Sequence, residues 1–162
     1  MYSMYLEEEQ ISRLVERLQG PHNLIFEIGL TTGLRISDIV ALEKDILKIK
    51  EPTIRERKTG KSKRIYINKK LKAELLEYSK NNDKYIFETN SKSGHITRQA
   101  VHKAFKKASK EASIKKNIST HTMRKTYAIR MLRKDKGLKY VKDKLNHNAV
   151  ADTLLYLSNE KR

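Results

Sequence analysis

Tyr156 closes the stretch L-N-H-N-A-V-A-D-T-L-L-Y, nine residues after His147. Upstream, His121 and Arg124 stand in the spacing H-x-x-R, and Arg35 stands in T-T-G-L-R-I-S-D. A phenol, two imidazoles and two guanidiniums are the groups needed to attack a phosphodiester. The phenol can serve as nucleophile, the arginines neutralise the phosphate, and the imidazoles move or share protons. Each residue alone reads as something ordinary: a surface arginine or histidine, or a packed tyrosine. Their order and spacing carry the information.

The elements that must position these groups follow from periodicity. Glu7, Glu8 and Glu9 open a helix made amphipathic by Leu6, Ile11, Leu14, Val15 and Leu18, and Gly20-Pro21 ends it. A second helix covers about 22–32 with Gly33 as its stop. Ser37-Asp38 begins a short third one. The period then changes: I-L-K-I-K at 46–50, T-I-R-E-R-K at 53–58 and R-I-Y-I-N at 64–68 read as strands. K-T-G-K-S-K forms a hairpin turn, and Pro52 confines the first strand to an edge. Helices are predicted at 69–80, 97–112 (capped by Thr97), 120–134 (capped by Thr120), 138–145 and 149–158, with a short extended piece at 85–87. The fold class is mainly α with a small antiparallel β-sheet, as a single domain over 1–162.

On the predicted helix 120–134, His121 and Arg124 project from one face near its start, where free N–H groups favour an anion. Arg35 lies between two helices, and Asp38 is placed to orient it or another cationic group. Lys58 stands where a strand meets the turn. There it can reach a DNA groove, or protonate a leaving 5′ oxygen if a neighbouring cation lowers its pKa. Lys61, Lys63 and Arg64 on the hairpin, with Arg98 and Lys125, are candidate DNA contacts.

Charge points the same way. The chain has 36 basic and 19 acidic side chains, net +17 over 162 residues. Residues 1–50 are slightly acidic, whereas 101–162 hold seventeen basic side chains against five acidic ones. The basic surface therefore falls where the candidate chemistry clusters, and it predicts a polyanionic partner, nucleic acid ahead of an acidic membrane surface. No stretch is apolar enough to span a bilayer. Without cysteine there is no disulfide, thiolate metal site or Cys nucleophile, and no cofactor is expected.

Taken together, Arg35, Lys58, His121-x-x-Arg124, His147 and Tyr156 resemble the tyrosine recombinases, the phage-integrase family. The matching blocks are T-T-G-L-R-I-S-D-I-V-A-L-E, E-R-K-T-G-K-S-K-R-I-Y-I, H-T-M-R-K-T-Y-A-I-R-M-L and L-N-H-N-A-V-A-D-T-L-L-Y, in order across nearly the whole chain. The resemblance implies the catalytic-domain fold of that family and site-specific DNA recombination without ATP. It assigns Tyr156 as the nucleophile that forms a 3′-phosphotyrosine, and Arg35 and Arg124 as clamps on the non-bridging oxygens. His121 assists proton transfer, His147 bonds the phosphate, and Lys58 is the general acid. Double-stranded DNA is the partner, with tetramers on DNA, a monomer without it, and a bacterial or phage-encoded protein of the cytoplasm and nucleoid.

The sequence departs from the family in three places. Asn146 replaces the usual Gly before the second histidine, which Asn suits because it tolerates a left-handed backbone. Six residues follow Tyr156, too few for the usual exchange of a C-terminal segment. The usual N-terminal DNA-binding domain is not in this sequence. Two competing readings are a type IB topoisomerase-like nicking-closing enzyme and a DNA-binding module with a silent site. Because Tyr156 lies on the last helix, the site is expected to be imperfectly assembled without DNA.

Overall fold

The computed structural model describes residues 4–158. Helix α1 (Glu8–Val15) starts at Glu7, where the Glu7 and Gln10 side chains cap each other's backbone N–H groups. It ends a turn earlier than predicted, and the chain winds on to the buried Leu18. Helix α2 (Pro21–Thr32) is the central rod, with Pro21 at its first position, where no N–H is needed. Gly33 ends it in the left-handed region (φ 63°), and a Cβ there would collide with the Tyr127 ring. Helix α3 (Ile36–Val40) follows at once.

The sheet is one antiparallel pair, β1 (Thr53–Arg55) and β2 (Ser62–Arg64), in the register Thr53↔Arg64, Ile54↔Lys63, Arg55↔Ser62. The predicted strand 64–68 is displaced. Ile65 still donates to Pro52 O at 2.9 Å, but Pro52 has no N–H to return and the ladder stops. The predicted strand 46–50 is instead a 3-10 turn, Lys44–Lys48. Leu47 is buried and Ile49 exposed, so the i, i+2 pair does not share a face as a strand requires. Residues 85–87 contribute a single bridge, Tyr85 to Glu43.

Helix α4 (Lys69–Tyr78) is capped by the Asn68 side chain, and α5 (Arg98–Glu111) by Thr97, whose Oγ1 accepts from Ala100 N at 3.2 Å. Helix α6 (Thr122–Arg133) differs from expectation at its start. His121, not Thr120, holds the capping position, and the Ser119 hydroxyl accepts the His121 N–H at 3.1 Å. Helices α7 (Gly137–Lys144) and α8 (Val150–Ser158) complete the described chain.

The core lies around α2, which packs closely on α6, where Gly29 lets Met123 approach, and touches α5 through an edge-on Phe26–Phe105 pair at 5.5 Å. A second small cluster of Tyr127, Ala128, Val141 and Leu145 joins α6 to α7 and receives Tyr156 and Leu157 of α8. No helix among the described residues is long and apolar enough to cross a membrane.

Candidate active site

Three backbone ends meet at one place: the C-terminus of α2, the start of α6 and the C-terminus of α7. Arg124 links them. Its Nη1 donates to Gly33 O and its Nη2 to Leu145 O, both at 2.6 Å, so one guanidinium satisfies carbonyls at two helix ends. The side chain is 3% exposed. Burial, and then the charge of Arg35, lower its pKa to about 10.

Arg35 is held by Glu56, from the β1–β2 turn, through Nη1–Oε2 at 3.0 Å. Glu56 is fully buried, accepts from the Thr59 hydroxyl at 2.9 Å, and lies 3.9 Å from Arg124. Burial works against its ionisation, but the Thr59 bond and the two arginines prevail and hold its pKa below the usual value. Sequence reasoning missed Glu56, a lone acid among Arg55, Arg57 and Lys58. Asp38, expected to orient a cation, instead accepts the backbone N–H of Arg57 at 2.9 Å and so anchors the turn. Burial raises its pKa.

The imidazoles are kept neutral. Partial burial and the charges of Arg124, Lys58, Arg35 and Lys125 lower the pKa of His121, although the residue as a whole is exposed. The exposed Lys58 is thus within electrostatic reach of His121. His147 is pushed down to about 4, first by burial and then by Arg124 and Arg35. The Thr153 hydroxyl hydrogen-bonds its Nδ1 at 2.8 Å. When that hydroxyl donates, Nε2 carries the proton and can donate to an anion. Thr153, fully buried on α8, also escaped the sequence reading, where it looked like an ordinary helical residue.

Asn146, just before His147, has φ 53° and turns the chain out of α7, as expected of its left-handed tolerance. Tyr156 then packs edge-on against the His147 ring at 5.6 Å between centroids, and its phenol is felt by Arg124. The expected imperfect site is therefore not what the structure shows. The helix that carries Tyr156, α8, docks on its own domain, because Leu157 and Tyr156 complete the apolar cluster on α6 and α7.

The hairpin lysines divide. Lys61 reaches the α7–α8 loop, donating to Asn146 O at 3.2 Å and to Asn148 Oδ1 at 2.6 Å. Lys63 and Lys125, expected as DNA contacts, are buried at 6% and 4% exposure. Lys63 Nζ lies over the Tyr127 ring at 5.7 Å, and burial, then Arg124, lower its pKa to about 7. Lys125 Nζ lies over the Tyr156 ring at 5.3 Å. Arg64 is exposed beside Glu51 at 3.7 Å, and Arg98 is exposed at the start of α5. Arg98, Gln99 and His102 line a groove of about 330 Å³ with Arg35 and His121.

The Lys61 link has a measurable consequence. Lys61→Met should leave global stability nearly unchanged but loosen residues 146–158. Faster amide hydrogen exchange there, with α2 and α5 unaffected, is the expected result.

Residues 4–162 match the model of the Phage integrase family. The chain belongs to that family. Among curated relatives it is similar to "Probable integrase/recombinase YoeC" of Bacillus subtilis (strain 168), 30% identical over 136 residues, covering 82% of this chain and 75% of that protein. It also resembles "Tyrosine recombinase" of Thermosipho africanus (strain TCF52B), 27% identical, covering 94% of this chain and 56% of that one. Thus the chain spans three-quarters of one phage-integrase relative and about half of the other. Two solved structures share the fold: XerA recombinase (TM-score 0.79, 22% identity, 97% of this chain and 61% of that) and the catalytic domain of bacteriophage HP1 integrase (TM-score 0.74, 22% identity, 97% and 88%). No cluster of three or more metal-binding side chains occurs among the described residues.

Proposed function

We propose that the chain breaks and rejoins DNA as the catalytic part of a tyrosine-type site-specific recombinase. The observation that carries this reading is the convergence of Arg35, Arg124, His121, His147 and the charge of Lys58 on the surroundings of one phenol, Tyr156. Tyr156 Oη attacks the scissile phosphorus while neutral His121 takes its proton. The bond from phosphorus to the 5′ oxygen breaks, and Lys58 protonates that oxygen. A 3′-phosphotyrosine and a free 5′-hydroxyl result. Attack by a 5′-hydroxyl from another strand reverses these steps and regenerates the phenol, so no nucleotide cofactor is consumed. Arg35 and Arg124 offset the charge on the pentacovalent phosphate.

Double-stranded DNA is the partner we assign, in keeping with XerH, bound in its solved structure to a difH substrate. Arg98, at the mouth of the groove beside Arg35, and Arg64 on the hairpin are the contacts we assign to it. Lys61 serves DNA indirectly, through the loop it ties down. Tetramers assembled on DNA in a bacterial cell complete the proposal, with the free chain monomeric.

Strand transfer tests the reading. The chain is offered a nicked duplex, obtained by covalent capture from a pool with randomised arms, together with a labelled strand bearing a 5′-hydroxyl. Without ATP, the label is expected to join the cleaved duplex, and Tyr156→Phe to abolish joining. Cleavage followed only by resealing of the original strand would favour the topoisomerase-like alternative. Tight DNA binding without any adduct would favour a silent module.

A further inference from the structure

Burying an ammonium is costly, and lysines ordinarily keep the head group in water. Lys125 departs from that habit at one particular place, over the ring of the candidate nucleophile. We propose that Lys125 is a positioning residue for the cleavage step: its ammonium, held against the Tyr156 ring, stabilises the phenolate that attacks phosphorus. The inference rests on Tyr156 being the nucleophile.

The geometry makes the effect specific. Lys125 Nζ lies 5.3 Å from the ring centroid, within the range where a cation interacts with the ring face of a neutral phenol. A phenolate carries a full charge rather than a quadrupole, so the same cation favours it far more strongly. Lys125 itself is 4% exposed, and the low dielectric around its ammonium preserves the interaction. One turn earlier on α6, His121 feels the same charge, among others that keep its imidazole neutral and able to accept the phenol proton.

The other charged groups around Tyr156 act from other positions. From α6 comes Arg124, whose charge also reaches the phenol but whose guanidinium is held by Gly33 O and Leu145 O rather than over the ring. From the α7–α8 loop comes His147, neutral at physiological pH. Asp152, one turn earlier on α8, opposes the phenolate, although its Oδ2 is occupied by Ala149 N at 3.0 Å. From α7 the contacts are the apolar Val141 and Leu145. Lys125 is thus the cation on α6 that stands over the ring itself.

The test reads the phenol directly. With 3-fluorotyrosine placed at 156, fluorine NMR follows its ionisation against pH in the folded chain and in urea. In the folded chain the midpoint is expected below that in urea. Lys125→Met, or Lys125→Gln if the first does not fold, should raise the folded midpoint by about one pH unit, while Lys125→Arg keeps it close to the parent. A folded parent midpoint at or above the value in urea, or a neutral variant titrating with the parent, overturns the inference. Failure of the nucleophile assignment is separate: it would appear as a DNA adduct persisting in Tyr156→Phe.

Discussion

Arg124→Ala is expected to lower stability by about 3–5 kcal/mol in urea denaturation, in addition to abolishing cleavage. The change strips a 3% exposed guanidinium from two carbonyls, Gly33 O and Leu145 O, which end α2 and α7 and gain no other partner. Each buried acceptor left unsatisfied costs about 1–3 kcal/mol. Glu56 also loses one of its two neighbouring arginines. Arg124→Lys separates structure from chemistry. A single ammonium lacks the planar fork that spans two acceptors, so stability should recover only in part. An alanine variant as stable as the parent would mean that the guanidinium holds neither helix end.

Glu56→Gln is the second large effect, at about 3 kcal/mol near pH 7. The amide can still accept from Thr59, but the charge that holds Arg35 and faces Arg124 is gone. Arg35 should then leave its 3.0 Å pairing and the β1–β2 turn should loosen. pH supplies the check. Because the Glu56 pKa is lowered on folding, its contribution is present above the unfolded value of about 4.5 and is lost as pH falls through the lower, folded value. Parent and Glu56→Gln should therefore converge in urea midpoint only once pH falls below the lowered, folded value. His147 acts in a different window. Its pKa falls from 6.5 to about 4, so the unfolded chain binds the extra proton and stability declines as pH drops across that interval. Both proteins should show this decline. A difference between them that is independent of pH would contradict the charge role assigned to Glu56.

Much of the site was legible before any coordinates. Arg35, Lys58, His121, Arg124, His147 and Tyr156 each stand in a block whose residue types and order are distinctive, and the fold brings their fields together. The helices were legible where an apolar stripe coincided with a cap, as at Thr97, or with a left-handed stop, as at Gly33. Glu56 was not, because a carboxylate flanked by Arg55 and Arg57 has the pattern of a solvated strand. Only docking of the hairpin beside α2 and α6 buries it. Lys63 and Lys125 were misplaced for the same reason: lysine is read as surface by default, and its burial depends on partners far away in sequence. The docked α8 was misjudged because the apolar surface that receives it is assembled from α6 and α7, and neither helix alone reveals it. The strand at 46–50 failed where alternation of side-chain type did not match alternation of burial.

The central claim is that one phenol, Tyr156, takes the phosphate in the field of Arg35, Arg124, His121 and His147. The most direct measurement is peptide mapping by mass spectrometry of the adduct trapped on a nicked duplex. Phosphodeoxynucleotide on the peptide containing Tyr156, with a 5′-hydroxyl on the released strand, is the predicted result. Attachment at any other of the eight tyrosines, or a 5′-phosphate on the released strand, would contradict it.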